Sequence, residues 1–374
     1  MDNGAVASLS ALRTLASQGT PVDARRIEAY LRRRPELAGQ DFAVRLSDAQ
    51  ISAGASGGTV LFELSAEQPW AHAGDYVLRF DLGDQGIFSQ TSLRDQFEVM
   101  RAVRGRGLPT ADAVWLDEGG EIVDGAPAVI MRRVTGASPS IQYLQAGAYV
   151  EAEPAVRRRV VEGLIGFAAR LHALPLEDLG LASLKVRGGE GDHFIDREIR
   201  WAQAELHARF PEVESGERAA LHTEIRQTLD EAAGRLLARA PRDRKPVLAH
   251  GDLTLANVMF DSGGDVAAVL DWELCHEGLA EEDIAYFIYA AQAIASLGSV
   301  AADVPTQDEI LAIYRAAGGV VRDWDFAAAL SAFRLATWGA IGMRRMPREF
   351  WPAQKQMWEL QNGIMSGAIK NLYK

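Results

Sequence analysis

Apolar residues follow two different periods along the 374-residue chain. From 42 to 134 they alternate over short runs, the pattern of strands buried on one face. Runs at 42–46, 59–64, 76–82, 113–116 and 126–134 predict strands, with Asp117-Glu118-Gly119-Gly120 as a turn before the last. A helix interrupts them at 92–103, where Ser92 stands as N-cap and Leu93, Phe97, Met100 and Val103 recur at helical spacing. After Gly136 the apolar positions recur every three or four residues, which predicts helices at about 156–174, 196–210, 217–240, 283–297, 307–317, 326–343 and 351–372. The first 40 residues also read as helical, with Thr20-Pro21 opening VDARRIEAYLRRR in the N-cap and N1 arrangement and Arg32, Arg33 and Arg34 near its C-terminal end.

One stretch breaks the helical regime. Two β-favouring runs, 258–260 and 266–270, are joined by Asp261-Ser262-Gly263-Gly264-Asp265, whose glycines supply the positive φ of a hairpin. The chain thus reads as α+β, with a helical extension at 1–40, a small antiparallel-sheet lobe at 41–136 and a mainly helical lobe at 137–374. That length suffices for two substantial cores.

Charge and composition narrow the partners. A formal net charge of −12 offers no basic stripe for a nucleic-acid backbone. The single cysteine, Cys275, builds no intrachain disulfide, which fits a reducing cytoplasm. Nothing at Met1-Asp2-Asn3 resembles a signal peptide, and the richest apolar run, 284–297, is short for a membrane span and broken by Gln292. The late tryptophans and methionines, Trp324, Trp338, Trp351, Trp358, Met343, Met346 and Met357, fall at helical spacing and are expected in the core.

The hairpin brings candidate chemistry together. Folding back near Gly263 and Gly264 sets Asn257 and Asp271 within about one residue of facing each other, about 5 Å apart at Cα. Asp252, on the loop that turns into this hairpin, reaches the same region from the side. A carbonyl and a carboxylate suit Mg²⁺ whose other positions hold phosphate and water. A second carboxylate there is available to take a proton from an attacking hydroxyl. Upstream, the loop Ser52-Ala53-Gly54-Ala55-Ser56-Gly57-Gly58 can bring backbone N–H groups against phosphate oxygens, because its glycines lack an obstructing Cβ. Gly54, Ser56, Gly57 and Gly58 are its candidate contacts.

HGDLTLAN followed by VLDWE resembles the catalytic and metal-binding segments of the aminoglycoside phosphotransferase-like branch of the protein-kinase-like fold. The wording LAHGDLTLANVMFD, AVLDWELCHEG and DIAY is especially similar to the kinase-like domain found fused to acyl-CoA dehydrogenases, as are ARLHALPLEDLGL and FRLATWGAIGMRRM. The resemblance spans most of 40–350 and is motif-specific around 248–286. It implies a two-lobed protein-kinase-like fold, ATP and Mg²⁺ as cofactors, and transfer of the γ-phosphoryl group to a hydroxyl of a small molecule. It makes Asp252 the catalytic base, Asn257 and Asp271 the Mg²⁺ ligands, His250 a structural member of the loop and Asp283 its brace. Arg79 stands where such kinases carry the phosphate-binding cation, more often lysine. Gln96 stands where a glutamate usually pairs with that cation. The run Val129-Ile130-Met131-Arg132-Arg133-Val134-Thr135-Gly136 resembles the interlobe hinge, so Met131, Arg132 and Val134 would offer an unpaired strand edge to a purine.

The glutamine departure keeps open a nucleotide-binding module of the same fold with weak catalysis. His250 with Asp252 and Asp271 also leaves a metal-dependent hydrolase as a third reading, against which no histidine pair at helical ligand spacing occurs. For the acceptor, hydroxyacyl-CoA thioesters, aminoglycosides, macrolides, choline-like alcohols and sugars all fit the resemblance. Neither oligomeric state nor ATP against GTP follows from the residues.

Overall fold

A computed structural model describes residues 22–47, 52–53, 57–81, 83, 86–89, 91–137, 143–181, 184, 192–210, 217–296, 305–343 and 351–374. Its contacts separate two units, Met1–Arg101 with Ala111–Arg133, and Ala102–Thr110 with Val134–Lys374.

In the first unit, helix α1 (Ala24–Leu31) is capped by Asp23, whose carboxylate accepts the Arg25 amide. The chain then forms β1 (Ala43–Leu46), β2 (Ser52–Ala53), β3 (Gly57–Ser65), β4 (Gly74–Asp81), α2 (Leu93–Gly105), β5 (Ala113–Asp117) and β6 (Ala128–Arg132). The Ser92 hydroxyl accepts the Asp95 amide at the start of α2, the cap expected from sequence. The strands pair antiparallel in the order β1-β3-β4-β6-β5, with β2 on β3. Alternate residues of β3 and β4 are buried, so Val60, Phe62, Leu64, Tyr76, Leu78 and Phe80 fill one face.

Ile27, Tyr30 and Leu31 of α1 lie in that same core. The helix expected as an N-terminal extension is therefore part of the sheet unit. The Tyr30 hydroxyl donates to the Leu116 carbonyl at 2.7 Å, and the Arg26 guanidinium donates to the Glu121 carbonyl and to Asp124. Its arginines are tied to neighbours, with Arg33 paired to Glu121 and Arg32 to Glu28.

The second unit is helical around two small two-stranded sheets. It runs α3 (Ala148–Glu151), α4 (Pro154–His172), α5 (Phe194–Arg209), α6 (Glu217–Arg239), β7 (Val247–Ala249), β8 (Val258–Phe260), β9 (Val266–Val269), β10 (His276–Gly278), α7 (Ala280–Ser296), α8 (Gln307–Ala316), α9 (Trp324–Met343) and α10 (Trp351–Leu372). The predicted hairpin forms as β8-β9, with Val258 opposite Val269. In its turn, Asp261 accepts the amides of Gly263 and Asp265, and Gly264 sits at φ 87°.

β7 pairs with β10, His276 opposite Ala249, a pairing that three-residue runs do not announce. The most apolar long helix is α9 rather than 284–297. By length and composition it is long enough to cross a membrane, yet 83% of its apolar window is buried inside the unit. Trp338, Met343 and Trp358 are buried as expected, while Met346 and the Trp351 side chain lie outside the described residues.

Candidate active site

Strand β7 delivers the chain into His250-Gly251-Asp252, and three hydrogen-bonding groups fix that loop. Gly251 adopts φ +83°, and a Cβ there would meet the Leu274 carbonyl oxygen at 2.1 Å, so only glycine fits the turn. Asp283, in the first turn of α7, accepts the backbone N–H of His250 at 2.7 Å and of Gly251 at 2.8 Å. His250 is buried; its Nε2–H donates to the Leu270 carbonyl at 2.9 Å and its Nδ1 accepts the Asp252 amide at 3.3 Å. A carbonyl only accepts and an amide only donates, so those partners assign the proton to Nε2. Burial pushes the His250 pKa down, which keeps the ring neutral despite the nearby Asp283. One imidazole thereby ties Asp252 to the residue preceding Asp271.

The hairpin brings the other two side chains in. The Leu270 amide donates to the Asn257 carbonyl at 2.8 Å, which leaves Asp271 one residue beyond the pairing. Asp271 is left-handed, φ 63° and ψ 67°, the sole positive-φ residue other than glycine among the described residues. That conformation costs about 1–2 kcal/mol and is characteristic of functional turns. The Asn257 Nδ2 donates to the Asp252 carbonyl at 3.0 Å and to its Oδ2 at 2.7 Å, which turns Oδ1 away from Asp252.

Electrostatics separates the carboxylates. The Asp252 pKa is pushed up to about 7, chiefly by burial and then by the negative charge of Asp271. Hydrogen bonds from Asn257 and Tyr286 and the charge of Arg334 oppose the rise. Asp252 nonetheless keeps partial solvent exposure, so a reactant can reach it. For Asp283, burial works in the same upward direction, but the bonds and charges of His172 and His250 outweigh it and hold the carboxyl well below the usual range. Two mutually repelling carboxylates beside an amide oxygen form an all-oxygen donor set, which fits a hard divalent cation that retains water and phosphate ligands. Among the described residues no group of three or more His, Cys, Asp or Glu is arranged to hold a metal.

The phosphate-binding residues expected in the sheet unit are partly redrawn. Arg79 lies on β4, opposite Thr59 of β3 and Val129 of β6. A Cβ on Gly57 would come within 3.3 Å of Arg79 Nε, so these two predicted residues are neighbours. Gly57 and Gly58 are not loop residues, however. They open β3 and pair with Asp81 and Phe80, and a Cβ on Gly58 would strike the Phe80 ring at 2.2 Å. Their missing side chains make room for packing as well as for approach. Gly54 and Ser56 lie outside the described residues, and Gln96 is buried on α2.

The hinge expectation is corrected at Met131 and Arg132. β6 is interior, with β4 on one side and β5 on the other, so Met131 faces Val77 and Ala113. The Arg132 amide donates to Asp112, and its guanidinium donates to the Ala71 carbonyl over the Tyr76 ring. Ladder hydrogen bonds satisfy this backbone, so the unpaired edge cannot lie at these residues. Val134 comes after the strand.

Sequence reasoning missed three contributors. His172, at the C-terminal end of α4, places Nε2 3.0 Å from Asp283 and Nδ1 2.8 Å from the Tyr314 hydroxyl. Tyr286 reaches Asp252 with its hydroxyl, and its position three residues after Asp283 on one helix was the available signal. Arg334 donates to the Gly251 carbonyl at 2.9 Å from the middle of an apolar helix, where periodicity gives no warning.

Residues 48–330 match the family described as the phosphotransferase enzyme family, APH. Among curated proteins, the chain is 26% identical to acyl-CoA dehydrogenase family member 10 of Mus musculus over 66% of its length, and 24% identical to family member 11 of Homo sapiens over 84%. It spans only 22% and 38% of those two proteins. Among solved structures, a protein of Ralstonia eutropha assigned as an aminoglycoside phosphotransferase superposes with a TM-score of 0.65 at 22% identity, covering 93% of this chain and 99% of that one. ADP-bound aminoglycoside phosphotransferase APH(2'')-Ib gives 0.53 at 16% identity, covering 92% and 99%. At those identities the likeness establishes the fold, which is the α+β, kinase-like fold of aminoglycoside phosphotransferases.

Proposed function

This chain belongs to the APH phosphotransferase enzyme family, whose general class is small-molecule phosphotransferase, and from that premise we propose an ATP- and Mg²⁺-dependent kinase acting on a small-molecule hydroxyl. The observation that carries the proposal is the Asn257 amide locked onto Asp252, with Asp271 left-handed one residue beyond the Asn257 pairing and close enough for its charge to raise the Asp252 pKa.

In this reading the acceptor oxygen attacks the γ-phosphorus in line, the bond to the β–γ bridging oxygen breaks, and ADP leaves. Asp252 orients the acceptor hydroxyl and receives its proton. A base with a pKa of about 7 is matched to that task near neutral pH. Asn257 Oδ1 and the Asp271 carboxylate would hold Mg²⁺, which supplies charge neutralisation at the transferring phosphoryl group. Asp283 and His250 hold the loop in register while the proton moves, and Arg79 is the proposed cation for the phosphates. ADP in the solved structure of the same fold supports nucleotide use. The names of the curated relatives make hydroxyacyl-CoA thioesters the first acceptors to test. The lone cysteine is buried, in keeping with a reducing compartment such as the cytoplasm.

Buried Gln96, in place of the usual acid, favours a second reading, a nucleotide-binding module with weak turnover. Mg-ATP consumption screened against hydroxylated metabolites and antibiotics decides between them. An acceptor-dependent rate that Asp252→Ala lowers by at least about 100-fold is expected. Nucleotide binding without turnover on any acceptor would leave the module. A protein showing no Mg²⁺-dependent thermal shift with ATP would exclude both.

A further inference from the structure

Beneath the His250-Gly251-Asp252 loop four ionisable side chains meet in a buried interior, each from a different element. Arg334 of α9 is fully buried, and Glu198 of α5, His276 of β10 and Glu282 of α7 are nearly so. The Arg334 Nε lies 2.9 Å from Glu198 Oε1, and its Nη1 lies 3.6 Å from Glu282 Oε1. His276 Nε2 is 2.5 Å from that same Glu282 oxygen, while its Nδ1 lies 2.8 Å from the Leu274 carbonyl. A carbonyl accepts only, so Nδ1 carries hydrogen. The guanidinium stands within ion-pair reach of both carboxylates, where an uncompensated buried charge would be very costly.

The guanidinium is left one task besides ion pairing. Its Nη2 donates to the Gly251 carbonyl at 2.9 Å. The Gly251 amide is held by Asp283 on the other side, and Leu274 blocks its Cα face. We propose that Arg334 is a positioning residue for Asp252, a cation fixed by Glu198, Glu282 and His276 so that its third nitrogen sets the Gly251 carbonyl. This rests on the reading of Asp252 as the catalytic base. The cluster reaches the site through the Gly251 carbonyl and through the charge of Arg334, which opposes the rise of the Asp252 pKa. Its hydrogen bond to the loop is made at Gly251, ahead of the proposed metal ligands, so nucleotide and metal affinity are expected to change little when Arg334 is altered.

Arg334→Lys keeps a positive charge for the carboxylates but cannot span both of them and the Gly251 carbonyl; Arg334→Met removes the charge and risks unfolding. For the full chain, Mg-ATP affinity by calorimetry, steady-state ATP turnover and a crystal structure of parent and Arg334→Lys are compared. The expected result is Mg-ATP affinity within about twofold, KM for ATP unchanged, kcat lower by about 10- to 100-fold, and Gly251-Asp252 displaced by more than about 0.5 Å. Equal loss of nucleotide affinity and kcat with a lowered melting temperature would make Arg334 merely structural and overturn the inference. So would a loop left in place. If the parent turns over no ATP, the kinase reading fails by itself, and the crystal structures still decide whether Arg334 sets the loop.

Discussion

His172 shares Asp283 with the His250-Gly251 loop: its Nε2 lies 3.0 Å from the carboxylate oxygen that also accepts the His250 amide. A helix-end imidazole thus stands three hydrogen bonds from Asp252, through Asp283 and His250. His172→Phe keeps the ring but strips a partner from Asp283 and from the Tyr314 hydroxyl. A loss of about 2 kcal/mol in urea unfolding is expected. Asp283 has a depressed folded-state pKa, so it adds stability above its ordinary pKa and loses it as pH falls. Weakening its partner raises that pKa, and acid unfolding of the variant should begin at higher pH than in the parent.

Phosphoryl transfer should rise with pH through about 7. Asp252, the proposed proton acceptor, is pushed up to about 7 by burial and Asp271, and in that role it would act only when deprotonated. The acid limb of kcat/KM measures this, and Tyr286→Phe should move the limb upward, because Tyr286 stabilises the charged form.

The same shift has a stability cost of opposite sign to that of Asp283. A raised folded-state pKa gives stability that is full below the ordinary carboxyl value of 3.8 and is lost as pH rises to about 7. Asp252→Asn cannot ionise. It should melt higher than the parent at pH 8, with the difference vanishing near pH 4, while transfer is abolished. Melting curves across pH give the answer, and a variant less stable at pH 8 would contradict the burial account.

Asp271→Asn separates the turn from the charge. Asparagine tolerates the left-handed backbone at φ 63°, so the hairpin should keep its stability within about 0.5 kcal/mol. The Mg²⁺-dependent part of the thermal shift with ATP should disappear. An unchanged shift would remove Asp271 from the metal site.

Gly58→Ala tests the redrawn glycine pair. Its Cβ would strike the Phe80 ring at 2.2 Å, so a loss of about 1–3 kcal/mol is expected before any effect on nucleotide.

Much of this was written locally. The strand at Arg79, the Ser92 cap and the β8-β9 hairpin follow from alternation, a capping hydroxyl and two glycines, each decided within a few residues. Met131 and Arg132 misled because a strand's own pattern does not say whether neighbours flank it on one side or two; β5 supplied the second.

The sequence by itself determined that Asp252, Asn257 and Asp271 share one end of a hairpin, since loop length and strand period fix that register. Only the tertiary structure decided what holds them still. Asp283, His172 and Arg334 arrive from α7, α4 and α9, far apart along the chain, and satisfy backbone groups whose need for partners arises only when the helices pack and exclude water.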